Sequence, residues 1–277
     1  MKNNGAIIFL ISLLSIVTLA LVGFMIMVIN GSYKDFKLFK NKENILLIDE
    51  TYENKFNKIS IINESSDIFI KKSDSNNYKV VIYGQKDTAK VSINGDELVI
   101  KSNRIKNCIG LCFGITKARV EVYMPSDYAK NIDIESKSGD LEMDDFKELN
   151  LNTNSKSGDL DIGNINSADI KVASGDIQIR DVSVLKIDSK SGDIDVNRVN
   201  DVVNIKSISG DITINTINIK KNSSIDSKSG DVKINSSNKI YYDATAKSGD
   251  VKINNNYRKS ECEFRINTIS GDITVNN

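Results

Sequence analysis

Ser-Gly-Asp followed by an aliphatic residue occurs eight times between Ser138 and Asn277, and no other feature restricts the fold as strongly. Its glycines are Gly139, Gly158, Gly175, Gly192, Gly210, Gly230, Gly249 and Gly271, spaced 19, 17, 17, 18, 20, 19 and 22 residues apart. Self-similarity at a short, nearly constant period marks a solenoid, in which each unit buries its apolar face only by stacking on its neighbours.

The repeat can be read column by column. Two residues after each glycine stand Leu141, Leu160, Ile177, Ile194, Ile212, Val232, Val251 and Ile273, and four residues after it stand Met143, Ile162, Ile179, Val196, Ile214, Ile234, Ile253 and Val275. Polar residues lie between, so each copy reads as a short strand with one buried face. The alternation also holds seven and five residues before the glycine, as in Ile132/Ile134, Leu185/Ile187 and Val203/Ile205. Inward parity running through the motif serine and resuming two residues past the glycine is an odd step. A corner is therefore expected at Gly-Asp, with serine inside, glycine bending the chain and aspartate outside, opposite the lysine column Lys137, Lys156, Lys190, Lys228 and Lys247. Phe146, Ile165, Val182, Val199 and Ile217 turn inward again seven residues after the glycine, and the variation in coil length falls beyond them. Stacked about 4.8 Å apart, eight coils make a rod of roughly 40 Å.

The chain ahead of the repeats divides by composition. After a short tail, residues 1–5, the run 6–29 carries no charge. It exceeds the roughly 20 residues that cross a bilayer, is too long for a secretory signal core and has no Ala-x-Ala cleavage site after it. It is expected to be an uncleaved transmembrane anchor in contact with lipid. Lysines over the linker 30–44, among them Lys34, Lys37 and Lys40, would by the positive-inside rule hold the following domain in the cytoplasm. Long domains translocate with little regard to such charges, and an extracytoplasmic placement is the reading adopted. Residues 45–136 repeat the pattern loosely and are expected to form N-terminal coils and a cap. Ser65-Ser66-Asp67-Ile68 is one degenerate copy and Asn94-Gly95-Asp96-Glu97-Leu98 a looser one, while Lys79–Tyr83 and Ala118–Pro125 read as strands. Residues 137–277 are the regular solenoid. The chain ends four residues past Ile273, without a C-terminal cap, and this leaves end-to-end self-association open.

Composition excludes much chemistry. Lysine plus arginine equals aspartate plus glutamate at 37 each, so no net field favours nucleic acid. Histidine and tryptophan are absent, which removes the commonest general base and metal ligand. Cys108, Cys112 and Cys262 are too few for a disulfide framework or a zinc site, and a packing role or a local disulfide near Cys108 is expected. The one regular candidate site is the column Asp140, Asp159, Asp176, Asp193, Asp211, Asp231, Asp250 and Asp272. Stacked carboxylates repel, and calcium would relieve that. Hydrogen bonds from turn amides would do the same and are the reading preferred, with no cofactor required.

The Ser-Gly-Asp-Ile/Val-x-Ile/Val repeats, the degenerate coils before them and the strand ending Tyr123-Met124-Pro125 resemble the bacterial putative-adhesin family of unknown function, including its LiaG-like membrane-anchored members. The resemblance covers residues 45–277. It implies an all-β, single-chain parallel β-solenoid, a right-handed β-helix, preceded by one transmembrane helix and held at the envelope of a Gram-positive bacterium. It supplies no catalytic residues. The function expected is non-enzymatic: an adhesin or envelope scaffold that contacts an envelope polymer or a surface protein. A cytoplasmic, membrane-tethered polymerising scaffold is the alternative, and a calcium-dependent polysaccharide-active enzyme stands behind both.

Overall fold

The computed structural model describes residues 44–103, 118–258 and 260–276, together with residues 14, 15, 17–19, 22, 23 and 26. The chain divides into two units, the larger being Glu43–Cys108 with Thr116–Asn277. In the smaller, the described residues are helical and exposed, Leu14, Val17, Leu19, Val22 and Ile26 among them. The anchor expected over 6–29 otherwise lies outside the described residues, and among these no helix is long and apolar enough to cross a membrane. The segment holding Cys108 and Cys112 also lies outside them. Cys262 is a half-buried free thiol.

The larger unit is a solenoid-like β body. Its strands after the corner stack in parallel, with Leu160, Ile177, Ile194 and Ile212 opposite one another in successive coils. Those before the corner stack likewise, with Ile170, Ile187, Ile205 and Ile225 in one file. β-branched side chains suit such a ladder because each packs on its counterparts above and below. Apart from Val251 and Ile253, every residue of the two aliphatic columns is at most 4% exposed. Phe146, Ile165, Val182, Val199 and Ile217 are buried as expected. Burying one such side chain contributes about 1.5–3 kcal/mol, so the core is a continuous aliphatic rod.

The coils do not stack in chain order at either end. Glu263–Ser270 pairs with Ser223–Ser229 on one side and Tyr241–Ser248 on the other, and Ile273–Asn276 lies between Val232–Ser236 and Val251–Asn254. The last coil is thus inserted beneath the one before it, and the coil containing Gly249 forms the end. This corrects the expectation that the last coil of the sequence is the end of the rod. The reason lies in side-chain size: Ile266 and Ile273 are fully buried, whereas the end coil carries the smaller Ala244 and Val251 at the equivalent inward positions. Leaving the smaller residues at the end exposes less apolar area.

The other end mirrors this arrangement. Lys58–Asn63 lies between Glu97–Ser102 and Asn131–Ser136, and Ser66–Ser73 lies between Ala118–Pro125 and Leu141–Met143. The first coil is therefore internal too. The sheet is not purely parallel here: Tyr78–Gly84 runs antiparallel to both Ile45–Tyr52 and Ala118–Pro125, and Ala89–Asn94 is antiparallel to Glu97–Ser102. Gly95-Asp96 is the two-residue turn of that last hairpin and not a corner of the repeat, with Gly95 at φ 63°. A glycine in the first central position of a two-residue loop between alternating runs is a hairpin signal. Ser65-Ser66-Asp67 does occupy a corner, directly beneath Gly139. Edge-to-face contacts link Tyr52, Phe56, Tyr78 and Tyr128, with the Phe56 and Tyr78 centroids 5.0 Å apart.

Candidate functional site

The repeated motif builds one ridge along the body. All eight glycines have φ between 114° and 136°, a region that side chains other than glycine avoid. Each also lies against the backbone of the next coil: a Cβ on Gly192 would be driven into the carbonyl of Gly175, and one on Gly271 into that of Gly230. Gly249 meets Gly271 in the same way, which independently fixes the coil order.

The column aspartates are exposed, and each is bonded to its neighbour. The amide of Asp176 donates to Oδ1 of Asp159 at 2.9 Å, that of Asp193 to Asp176 at 2.9 Å and that of Asp211 to Asp193 at 2.8 Å. The file continues through Asp231, Asp272 and Asp250 at 2.8 Å per step. At its other end Asp140 donates to Asp67, the aspartate of the degenerate coil, at 3.1 Å. The aspartate carbonyls accept in the opposite sense, as where the Leu160 amide donates to Asp176 at 2.9 Å. From Asp67 to Asp272 each carboxylate of the file thus caps an amide that would otherwise face solvent at the turn. Among the described residues no group of three or more acidic or cysteine side chains is arranged to hold a metal ion.

Two expectations about the ridge are corrected. The motif serines are not inside: Ser157, Ser174, Ser191, Ser209, Ser229, Ser248 and Ser270 are exposed. The buried hydroxyls stand two residues earlier, at Ser136, Ser155, Ser189, Ser207, Ser227 and Thr268. Several reach across the turn, Ser155 donating to the carbonyl of Ser157 at 3.2 Å and Thr268 to that of Ser270 at 3.2 Å. Nor, among the described residues, do Lys156, Lys190, Lys228 and Lys247 form ion pairs with the aspartates from Asp159 to Asp272. Lys137 pairs with Glu64, and other ion pairs run along different files, Lys186 to Asp169 at 2.8 Å and Arg198 to Asp181 at 3.0 Å. The column lysines are exposed, and Lys228 and Lys247 line a shallow recess together with Asp188 and Asp226, residues of the strands before the corner.

Among the concavities of the described residues, two differ sharply in charge. A groove of about 360 Å³ runs beside the ridge at its N-terminal half, rimmed by Asp67, Asp140, Glu142, Asp159, Asp161 and Asp176. Phe69 lies at its head, with the guanidinium of Arg119 4.1 Å above the ring and Lys71 5.3 Å from its centroid. Beside them Tyr123 donates to Glu121 at 2.7 Å, and this bond pushes its phenol up to about 12.

The larger recess, about 690 Å³, lies on the side where coil length varies, near the C-terminal end. Lys220, Lys239 and Arg258 line it against the single carboxylate of Glu261, and Lys239 stands 5.7 Å from the centroid of Tyr257. The Asn238 amide donates to the carbonyl of Ile219 at 2.9 Å, and Ser260 donates to that of Lys239 at 3.0 Å, fixing the walls. Cations beside an aromatic ring suit an anionic or hydroxylated polymer. No motif marks this recess in the sequence. Its signal is the 22-residue spacing between Gly249 and Gly271, the longest between successive corners, with Tyr257 and Arg258 in the added length.

Residues 56–276 match the family model Toastrack DUF4097. Solved structures to which the chain is similar include a putative lipid binding protein from Parabacteroides distasonis, 14% identical, with 85% of this chain and 95% of that one covered at a TM-score of 0.46. A putative adhesin from Bacteroides fragilis is 16% identical, with 82% and 96% covered at 0.45. A putative cell adhesion protein from Clostridium sporogenes is 12% identical, with 83% and 98% covered at 0.31. Among curated proteins there is no match.

Proposed function

This chain belongs to the Toastrack DUF4097 family, and on that premise we propose that it is a non-enzymatic, membrane-anchored β-solenoid that presents a fixed polar surface outside the cytoplasm, as an adhesin or envelope-associated scaffold. One observation carries this reading. The residues that recur in every coil are spent on the corner, the glycines on backbone contact and the aspartates on capping the next amide. Catalysis needs one asymmetric cluster, whereas these carboxylates are equivalent and bonded in series. The asymmetric feature on which this reading settles is the recess of Lys220, Lys239, Tyr257 and Arg258, whose charge suits an anionic envelope polymer.

The exposed helical residues Leu14, Val17, Leu19, Val22 and Ile26 fit the anchor proposed over 6–29, since apolar side chains on a helix need a covering and lipid supplies one. The cytoplasmic polymer reading requires the two ends of the body to stack on each other. One end is a coil of the repeat and the other is closed by the antiparallel strands Ala89–Asn94 and Ile45–Tyr52, so the second does not continue the course of the first.

Protease treatment of intact cells tests the proposal. The β body should be digested without lysis, and isolated anionic wall polymer should bind wild type but not Lys239→Glu/Arg258→Glu. Protection of the body until lysis would reverse the assigned side of the membrane. Equal binding by the variant would remove the recess from the reading.

A further inference from the structure

We propose that the coil at the C-terminal end of the body is a docking surface for a second copy of the same coil, joining two bodies end to end about a twofold axis. The strand Tyr241–Ser248 pairs with Glu263–Ser270 on one side and with no strand among the described residues on the other. Its first outward position is already covered: the Asn256 side chain accepts from the Tyr242 amide at 2.9 Å and donates to the Tyr242 carbonyl at 2.9 Å. Because backbone groups alternate along a strand, Ala244 and Ala246 point their amides and carbonyls to that same open edge. The other strand of the coil leaves Val251 40% exposed in a column that is buried elsewhere. An unpaired edge over a partly uncovered core is a template for another strand.

The sequence of the edge selects the occupant. Set antiparallel to a second copy with Thr245 opposite Thr245, Ala244 faces Ala246 and Asp243 faces Lys247, twice over by symmetry. The alanines lie on the inward face, where their small side chains allow close approach, and Asp243 and Lys247 lie on the outer face. The hydrogen-bonding positions coincide as well, since Ala244 and Ala246 carry the open backbone groups and would exchange them as a bonded pair. Asp243 already lies 3.7 Å from Arg265 in the coil beneath, so its carboxylate is held on the correct face. At the opposite end Ile45–Tyr52 is broken by a bulge between Leu46 and Ile48, a device that deters pairing, and the other edge strand, Ala89–Asn94, carries Lys90 with no carboxylate to face it in a second copy. The result is a closed pair and not a filament. On the anchored reading above, the two N-terminal ends leave at opposite poles, as joining two surfaces requires. The pairing itself does not depend on that reading and is tested away from any membrane.

The full chain in mild detergent is followed by light scattering and sedimentation over a range of concentrations. Wild type should pass from monomer to dimer. Asp243→Lys and Lys247→Asp should each weaken the dimer at least about tenfold, because like charges then face each other, and the double reversal should recover to within about threefold. Thr245→Cys should give a covalent dimer on mild oxidation beyond that of wild type, since opposed residues at a non-bonded position bring their Cβ atoms within about 5.5 Å. Melting curves check that each variant is folded. A monomeric wild type, a double reversal as weak as the singles, or no added cross-link from Thr245→Cys overturns the proposal.

Discussion

A glycine at the corner answers two separate demands, and these can be measured apart. Gly192 sits at φ 119° with a carbonyl of the next coil where its Cβ would be, whereas Gly95 sits at φ 63° with nothing within 4 Å of that place. Gly192→Ala should therefore cost about 3 kcal/mol or more and Gly95→Ala about 1 kcal/mol, read as the difference in urea midpoints at constant slope. Equal costs would mean that backbone conformation alone governs the corner. Ser66 shows the alternative solution, for its corner has no positive φ and is bracketed by Asn63, which accepts from the Ser66 amide at 2.9 Å and donates to its carbonyl at 2.7 Å. The positions of glycine and aspartate were legible from spacing. The side taken by serine was not, because parity counting assumes that alternation runs up to the bend. Here Lys190, Ser191 and Asp193 all face solvent around Gly192, and Ser189 is the last inward residue before it. The aspartates from Asp140 to Asp272 already accept a bond from a neighbouring amide, which offsets their mutual repulsion. Adding calcium or a chelator should leave the melting temperature unchanged, and a calcium-dependent rise would show that the ladder binds metal.

At the scale of the coil, strand and register were readable because a period of two and a fixed corner leave little freedom. Coil order was not, since any two coils of this repeat can pair: the corner geometry of Gly230 accepts Gly271 as readily as it would Gly249. What selects the order is burial, and its trace in the sequence is Ala244 in a column where Ile170, Ile187, Ile205, Ile225 and Ile266 are the rule. The internal coil should accordingly be the more protected one. Backbone amides over Phe264–Thr268 should exchange with solvent more slowly than those of Ala244 and Ala246, although they lie nearer the end of the chain. Ile266→Ala should cost about 2–4 kcal/mol and Ile253→Ala clearly less. Exchange that quickens steadily toward Asn276 would restore a stack in chain order.

Across the whole body, the ends are where the repeat gives way to large aromatic residues, and this links stability to alkaline pH. Tyr128 is buried at one end, where its hydroxyl donates to the carbonyl of Asn131 at 3.1 Å, and Tyr242 is buried at the other against Phe264, with ring centroids 5.7 Å apart. Burial pushes the Tyr128 phenol well above its ordinary value and that of Tyr242 up to about 12. A folded-state value above the unfolded value of 10.0 means that the fold favours the neutral phenol. That stabilisation is complete below pH 10 and is lost as the pH rises through the folded value. The melting temperature should hold up to about pH 10 and then fall toward pH 12. Lysine deprotonation acts on the same range but along the whole surface, so the variant Tyr242→Phe separates the two causes: it keeps the ring in the core and removes the group that ionises. Its melting curve should fall less steeply over that window than that of wild type. If both fall together, alkaline unfolding begins at the surface charges and not at the sealed ends.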